Sequence, residues 1–323
     1  MSGRCIIFGV GAIGGIFAAR LAGAGEHVAL VARGQTLEAL RKKGLRLRSA
    51  TEDICQTLLA VEDLAEIGVN EEDRIFLCTK SQDTAAALEA MRTAVPRGVP
   101  VVCAQNGVAN EPSVARHFDT VIGAYVYIYG LGLTPGAVET FTSPSAGIVD
   151  LGSVTDKGQS VAVELVSRLG RAGFDSLCRN DIMRWKYRKL IANCVNIIRA
   201  TCSDGRDMTP MDNLARREAE DCLLACGVEV ASEIERLQRL EAVMPLATID
   251  GREFPGGSSW QSVQSGKSLE TDYLNGEIVR LGAKHGVSVP INSYLLSVAH
   301  SISSGRLPGA DEVQGHIFTL ARL

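Results

Sequence analysis

Short apolar runs rich in β-branched residues alternate with segments of helical period through the first half of the chain. Residues 5–8, 27–32, 74–78, 99–103 and 120–124 read as strands, separated by helices over 13–24, 36–43, 84–95 and about 113–117. That alternation predicts an α/β fold with a parallel, doubly wound sheet, because parallel neighbours need a crossover long enough to hold a helix. Two further runs, 137–141 and 147–151, follow the turn Thr134-Pro135-Gly136 and are expected to extend the same sheet with antiparallel strands. From Asp181 the period is helical almost throughout, over 181–203, 212–240, 257–265, 269–286 and 292–304. The switch near 178–180 divides the chain into an α/β domain over 1–179 and an all-helical domain over 180–323.

One stretch of the helical half breaks its own pattern. WKYRKLIANCVN, residues 185–196, sets an ammonium and two carboxamides on one stripe of an otherwise apolar helix. On a continuous helix Lys189, Asn193 and Asn196 lie within ~40° of one another. Leu190, Ile191, Ile197 and Ile198 surround the stripe, so its polar heads need a ligand or one another as partners. The structural alternative is a lysine snorkelling to water above two asparagines that bond local backbone.

The first strand runs directly into Gly9-Val10-Gly11-Ala12-Ile13-Gly14, a GxGxxG in the strand-turn-helix setting that gives the motif meaning. Gly9 suits the tight turn, Gly11 lets backbone approach a pyrophosphate, Gly14 allows close helix packing, and the first helical N–H groups face the anion. The fold expected is therefore of Rossmann type. The second strand ends in Arg33, where an acidic residue would select the ribose hydroxyl of NAD. A guanidinium matches a 2′-phosphate, so the cofactor expected is NADP(H). Lys80 and the run Gln105-Asn106-Gly107 follow later strands at the edge where open α/β sheets hold ligands. In the second half, Ser258 and Ser259 precede Trp260, and Glu270 stands near the start of a helix, suited either to capping or to accepting hydrogen bonds from a substrate.

Bulk composition narrows the class. With 323 residues, 46% hydrophobic and 22% charged, the chain can bury two cores. A net charge of -4 offers no footprint for nucleic acid or an anionic membrane, and Arg41, Lys42 and Lys43 read as a solvated helix end. No apolar run is long enough for a bilayer and no leader precedes the first strand, so a cytoplasmic protein is expected. The nine cysteines stand in apolar contexts without a CxxC and read as buried hydrophobes, leaving no expected metal site. The apolar C-terminal helices, residues 294–302 included, suit either core packing or a homodimer face.

Taken together, GVGAIG, Lys80, QNG at 105–107, WKYRKLIANC at 185–194 and SLETDYLNG at 268–276 make the chain resemble the ketopantoate reductase (2-dehydropantoate 2-reductase) family over most of its length. The resemblance implies an NADPH-binding Rossmann domain, an all-helical domain, a substrate cleft and a step of pantothenate biosynthesis. It implies that Lys189 is the catalytic lysine, Asn193 its partner, Glu270 the substrate-binding acid, and Ser258 or Ser259 the serine that binds the substrate carboxylate. Lys80 and Asn106 then lie near cofactor and substrate. The chain departs from the family in two places. Members carry NxxxNP, whereas here Asn196 comes one residue early and Ile197 and Ile198 follow, and SSWQSVQSGKS replaces the usual SSMLQD region. The reaction expected is hydride transfer to the keto carbon of a small 2-oxo acid, with Lys189 delivering the proton. Asn193 and Asn196 would orient the lysine or the substrate. The alternatives are an NADP-dependent dehydrogenase of a different hydroxy acid and a non-catalytic dinucleotide-binding sensor.

Overall fold

A computed structural model of the chain describes residues 3–202, 205–241 and 246–322. The chain divides into two units, and neither is contiguous. Met1–Gln105, Ala109–Lys186 and Ile234–Pro255 form the first, and Asn106–Val108, Tyr187–Glu233 and Gly256–Leu323 the second. This differs from a single cut at 179/180, because Trp185 and Lys186 stay with the sheet and a later stretch returns to it.

In chain order the first unit begins β1 (Cys5–Phe8), α1 (Ala12–Gly23), β2 (Val28–Val31), α2 (Gly34–Lys43), β3 (Leu45–Arg48), β4 (Asp53–Gln56) and β5 (Leu59–Val61). It continues through β6 (Arg74–Leu77), α3 (Thr84–Ala94), β7 (Val101–Cys103), α4 (Asn110–Ala115) and β8 (Val121–Tyr127). β9 (Gly130–Thr134), β10 (Ala137–Thr140), β11 (Ile148–Ser153) and α5 (Gln159–Arg171) complete its main stretch. The principal sheet has the order β11-β8-β7-β6-β1-β2-β5. Its strands are parallel except β11, which pairs antiparallel with β8. Because β1 is apolar at every position, it feeds both faces. Cys5 and Ile7 join Phe17 and Phe76 in one core, while Ile6 and Phe8 join Leu77, Leu88 and Met91 in the other. Phe17 packs on Phe76 and Phe174 at centroid distances of 5.6 and 5.3 Å.

Of the two runs expected to extend this sheet, β11 does so and β10 does not. β10 belongs to a second sheet of order β4-β3-β10-β9. Its Val138 is buried while Glu139, pointing the other way, pairs with Arg48 and Arg252. A strand with one charged face fits a sheet covered on one side only, and here the cover is α1, whose Gly15 leaves room for Val138.

The helix α6 (Ile182–Asn193) starts in the first unit and ends in the second, followed there by α7 (Asn196–Thr201) and α8 (Thr209–Ala225). Next comes α9 (Glu233–Glu241), nearly all of it in the first unit. α10 (Ser258–Gln264), α11 (Asn275–His285), α12 (Pro290–Ser303) and α13 (Ala310–Leu320) finish the second. Ile197, Ile198, Met211, Leu295, Val298 and Ile317 supply its core. Three expected helices are shorter than their periods suggest. The run over 212–240 stops at Ala225 because Gly227 adopts φ +71° and its N–H turns back to the Leu224 carbonyl. The run over 269–286 begins as a 3₁₀ turn, Thr271–Tyr273, before α11. The run over 181–203, whose last residue lies outside the described residues, is interrupted at Cys194 and Val195. Its interruption has a specific cause: the buried Asn275 amide donates to the Cys194 carbonyl at 2.9 Å, taking an acceptor that a continuous helix would offer to Ile198.

Candidate active site

At the carboxyl edge of the principal sheet, the three motif glycines occupy distinct environments. Gly9 has φ +100°, and a β-carbon there would lie 2.8 Å from the Thr79 backbone nitrogen. A β-carbon on Gly14 would collide with the Gly9 carbonyl, so only glycine lets α1 pack this close to the turn. Gly11, the exposed N-cap of α1, has nothing within 4 Å of where its β-carbon would be. Its backbone faces open space, and α1 has neither a side-chain cap nor an acidic side chain in its first turn, which begins at Ala12 and Ile13. These features fit a dinucleotide phosphate. Arg33, two residues after β2, is the exposed N-cap of α2, with no partner for its guanidinium among the described residues. Arg41, Lys42 and Lys43 form the exposed last turn of the same helix, as expected. Lys80 precedes the 3₁₀ turn Ser81–Asp83 after β6 and is half-buried.

The second unit gathers Asn106, Lys189, Asn193, Asn196, Ser258, Ser259 and Glu270. Lys189 and Asn193 sit one helical turn apart on α6, both half-buried. The Asn193 amide nitrogen Nδ2 is buried and has no hydrogen-bond partner among the described residues. Asn196 opens α7 beyond the interruption at Cys194 and Val195, so the three residues are not carried by one continuous helix. Glu270 stands immediately before the 3₁₀ turn rather than in the first turn of a long helix, and its side chain caps nothing there. Ser258 and Ser259 open α10; Ser258 is exposed and its carbonyl accepts from Ser262 Oγ at 2.9 Å, whereas Ser259 is buried. The QNG loop meets the Glu270 segment directly: Gly107 has φ +79°, and a β-carbon there would lie 2.8 Å from the Tyr273 carbonyl oxygen.

Sequence reasoning passed over several buried polar groups. In the first unit Lys186 and Glu111 form an ion pair with both side chains inside. Spacing carried a signal, since Lys186 lies four residues from both Ile182 and Leu190, on the apolar face of α6. Asn275, which breaks the helix and also donates to Asn292 Oδ1 at 2.9 Å, gave none. The cysteines are free, and most are buried. Burial pushes the Cys5 thiol up to about 11 and raises Cys78, Cys103 and Cys194 as well, so these are packing groups rather than nucleophiles.

Comparison with known proteins identifies the family. The family described as ketopantoate reductase PanE/ApbA matches residues 5–154, and its C-terminal counterpart matches residues 181–303. The chain belongs to the ketopantoate reductase family. It is accordingly an oxidoreductase of the class acting on CH–OH groups, in a family that uses nicotinamide dinucleotides. It is 28% identical over 311 residues to a 2-dehydropantoate 2-reductase of Pyrococcus horikoshii, covering 93% of this chain and 98% of that protein. A ketopantoate reductase structure from Ralstonia eutropha superposes with a TM-score of 0.78 at 27% identity, covering 94% and 99% of the two chains. D-mandelate dehydrogenase in complex with NADH and anilino(oxo)acetate has the same fold, with a TM-score of 0.78 at 21% identity and the same coverage. Among the described residues no helix of this reductase-family chain is long and apolar enough to cross a membrane.

Proposed function

We propose that this chain is an NADPH-dependent reductase of small 2-oxo acids, with 2-dehydropantoate reduced to pantoate as its first substrate. The observation that carries this reading is the presence on α6, one turn from Lys189, of a buried Asn193 amide nitrogen that has no partner among the described residues. A donor that costs the fold stability is explained by an acceptor that arrives with the substrate.

Gly9, Gly11, Ala12, Ile13 and Gly14 would hold the cofactor's pyrophosphate, and Arg33 its 2′-phosphate, which favours NADPH over NADH. Lys80 and Asn106 would border the cofactor. When bound, the reduced nicotinamide supplies a hydride to the keto carbon. Lys189 then donates a hydrogen bond to the keto oxygen, stabilises the charge that develops on it and delivers a proton from Nζ, leaving an amine that solvent reprotonates. Asn193 orients the same oxygen or the lysine. Glu270 accepts a hydrogen bond from a substrate hydroxyl, and a serine at 258 or 259 donates to the carboxylate. Ser259 is the buried one of the two, which suits a fixed donor; Ser258 is better placed for a ligand arriving from solvent.

A second reading, a dehydrogenase of a different hydroxy acid, draws on the displaced Asn196 and the altered SSWQSVQSGKS stretch. The deciding experiment is a competition assay following NADPH oxidation with 2-dehydropantoate against other 2-oxo acids, and NADP reduction with the matching hydroxy acids. Preference for 2-dehydropantoate supports the first reading, and preference for a bulkier acid the second. Tight NADPH binding with no turnover on any acid overturns both in favour of a sensor.

A further inference from the structure

We propose that Lys186 and Glu111 are positioning residues for the reaction, a buried clamp that fixes α6 on the end of β7 and thereby sets Lys189 and the QNG loop. The inference rests on the reading of Lys189 as proton donor. Lys186 is 3% exposed and Glu111 0%. Besides the carboxylate, the Lys186 ammonium donates to the carbonyls of Cys103 at 3.4 Å and Gln105 at 3.2 Å. Those carbonyls flank Ala104, and the next residue is Asn106. The Gln105 side chain is tied down separately. Its amide donates to Thr84 Oγ1 at 2.9 Å, Thr84 donates to Asn110 Oδ1 at 2.8 Å, and Asn110 donates to Ser81 Oγ at 3.1 Å, one residue after Lys80. Backbone and side chain of the residue preceding Asn106 are thus held by two independent sets of bonds, one of them from α6.

Stability does not account for the clamp. A buried ion pair seldom outperforms apolar residues of similar volume, and Ile182 and Leu190, one turn either side of Lys186, show that this face accepts aliphatic side chains. Position does account for it. Two carbonyl acceptors, Cys103 on β7 and Gln105 just after it, with the Glu111 carboxylate as counter-ion, surround one ammonium and so define where α6 sits along β7. Lys189 follows three residues later on the same helix, about 4.5 Å along its axis, so a slip at Lys186 is carried to Lys189. Displacements near 1 Å cost such sites up to about a hundredfold in rate.

The test uses the full chain and the double variant Lys186→Met/Glu111→Leu, which replaces the pair with apolar groups, beside Glu111→Asp, which keeps both charges but shortens the tether. Melting temperature, amide hydrogen exchange over 104–108, NADPH affinity, and kcat and KM for 2-dehydropantoate are measured. The double variant is expected to melt within a few degrees of the parent, to exchange at 104–108 at least about tenfold faster and to lose at least about tenfold in kcat with NADPH affinity unchanged. Glu111→Asp is expected to lose kcat severalfold without a change in melting. Unchanged exchange, parental kcat in both variants, or a double variant that no longer folds overturns the proposal, the last by showing the pair to be a stability element. Parental turnover in Lys189→Ala defeats the proton-donor reading instead, and the exchange measurement still decides whether the clamp holds the loop.

Discussion

Lys189 and Asn193 share a helical face but hold different energetic positions. Removing one preorganised donor from a developing oxyanion costs on the order of 2.7 to 4 kcal/mol in comparable sites. Lys189→Ala is therefore expected to lose at least about a hundredfold in kcat while NADPH affinity, measured by cofactor fluorescence, stays within about twofold. Asn193 should behave in the opposite way toward the fold. Its buried Nδ2 lacks a partner among the described residues, and such an orphan costs about 1–3 kcal/mol. Asn193→Leu is expected to melt no lower than the parent while kcat/KM for the 2-oxo acid falls at least about tenfold. A variant that loses stability and keeps activity would show that the amide serves the core.

At the scale of elements, the glycines after β1 separate packing from binding. A methyl at Gly14 meets the Gly9 carbonyl, whereas one at Gly11 meets open space. Gly14→Ala is expected to lower the melting temperature, and Gly11→Ala to melt like the parent but bind NADPH at least about tenfold more weakly. Equal affinity in Gly11→Ala would remove that backbone from the cofactor site. Elements with uniform surroundings were the legible ones. β1, β2, β6, β7 and β8 are buried on both faces and advertise themselves as unbroken apolar runs. β3 reads LRLR and β4 DICQ, each with alternate positions turned to solvent, and short half-polar strands of this kind leave little signal. Likewise the turn after β1 could be read because its chemistry is local. The interruption of α6 could not, because the side chain responsible lies 81 residues away. Lys186 gave only a faint signal: its spacing to Ile182 and Leu190 puts it on the apolar face, but among Arg184, Arg188 and Lys189 it reads as one more solvated charge until its partner on α4 is seen.

For the whole molecule, the return of Ile234–Pro255 to the first unit makes that unit depend on chain far beyond its apparent end. Asp150, fully buried on β11, is held by Arg179 Nε at 2.8 Å and by Arg239 at 2.6 and 3.0 Å. Phe254 of the same returning stretch packs edge-on against Tyr129 and Phe141. A fragment of residues 1–180 therefore lacks Arg239, Phe254 and Lys186, and leaves buried carboxylates at Asp150 and Glu111 short of cations. Losing one partner of a buried pair costs about 3–5 kcal/mol, so the fragment is expected to show no cooperative melting transition by calorimetry. A sharp transition near the parental temperature would contradict that. The same arrangement acts as a clock during synthesis. Arg239 leaves the ribosome 89 residues after Asp150, which at about 5–20 residues per second is on the order of 4–18 s. For that interval Asp150 has only Arg179 of its two cations, so the buried site on β11 is completed by a side chain from the second half of the chain.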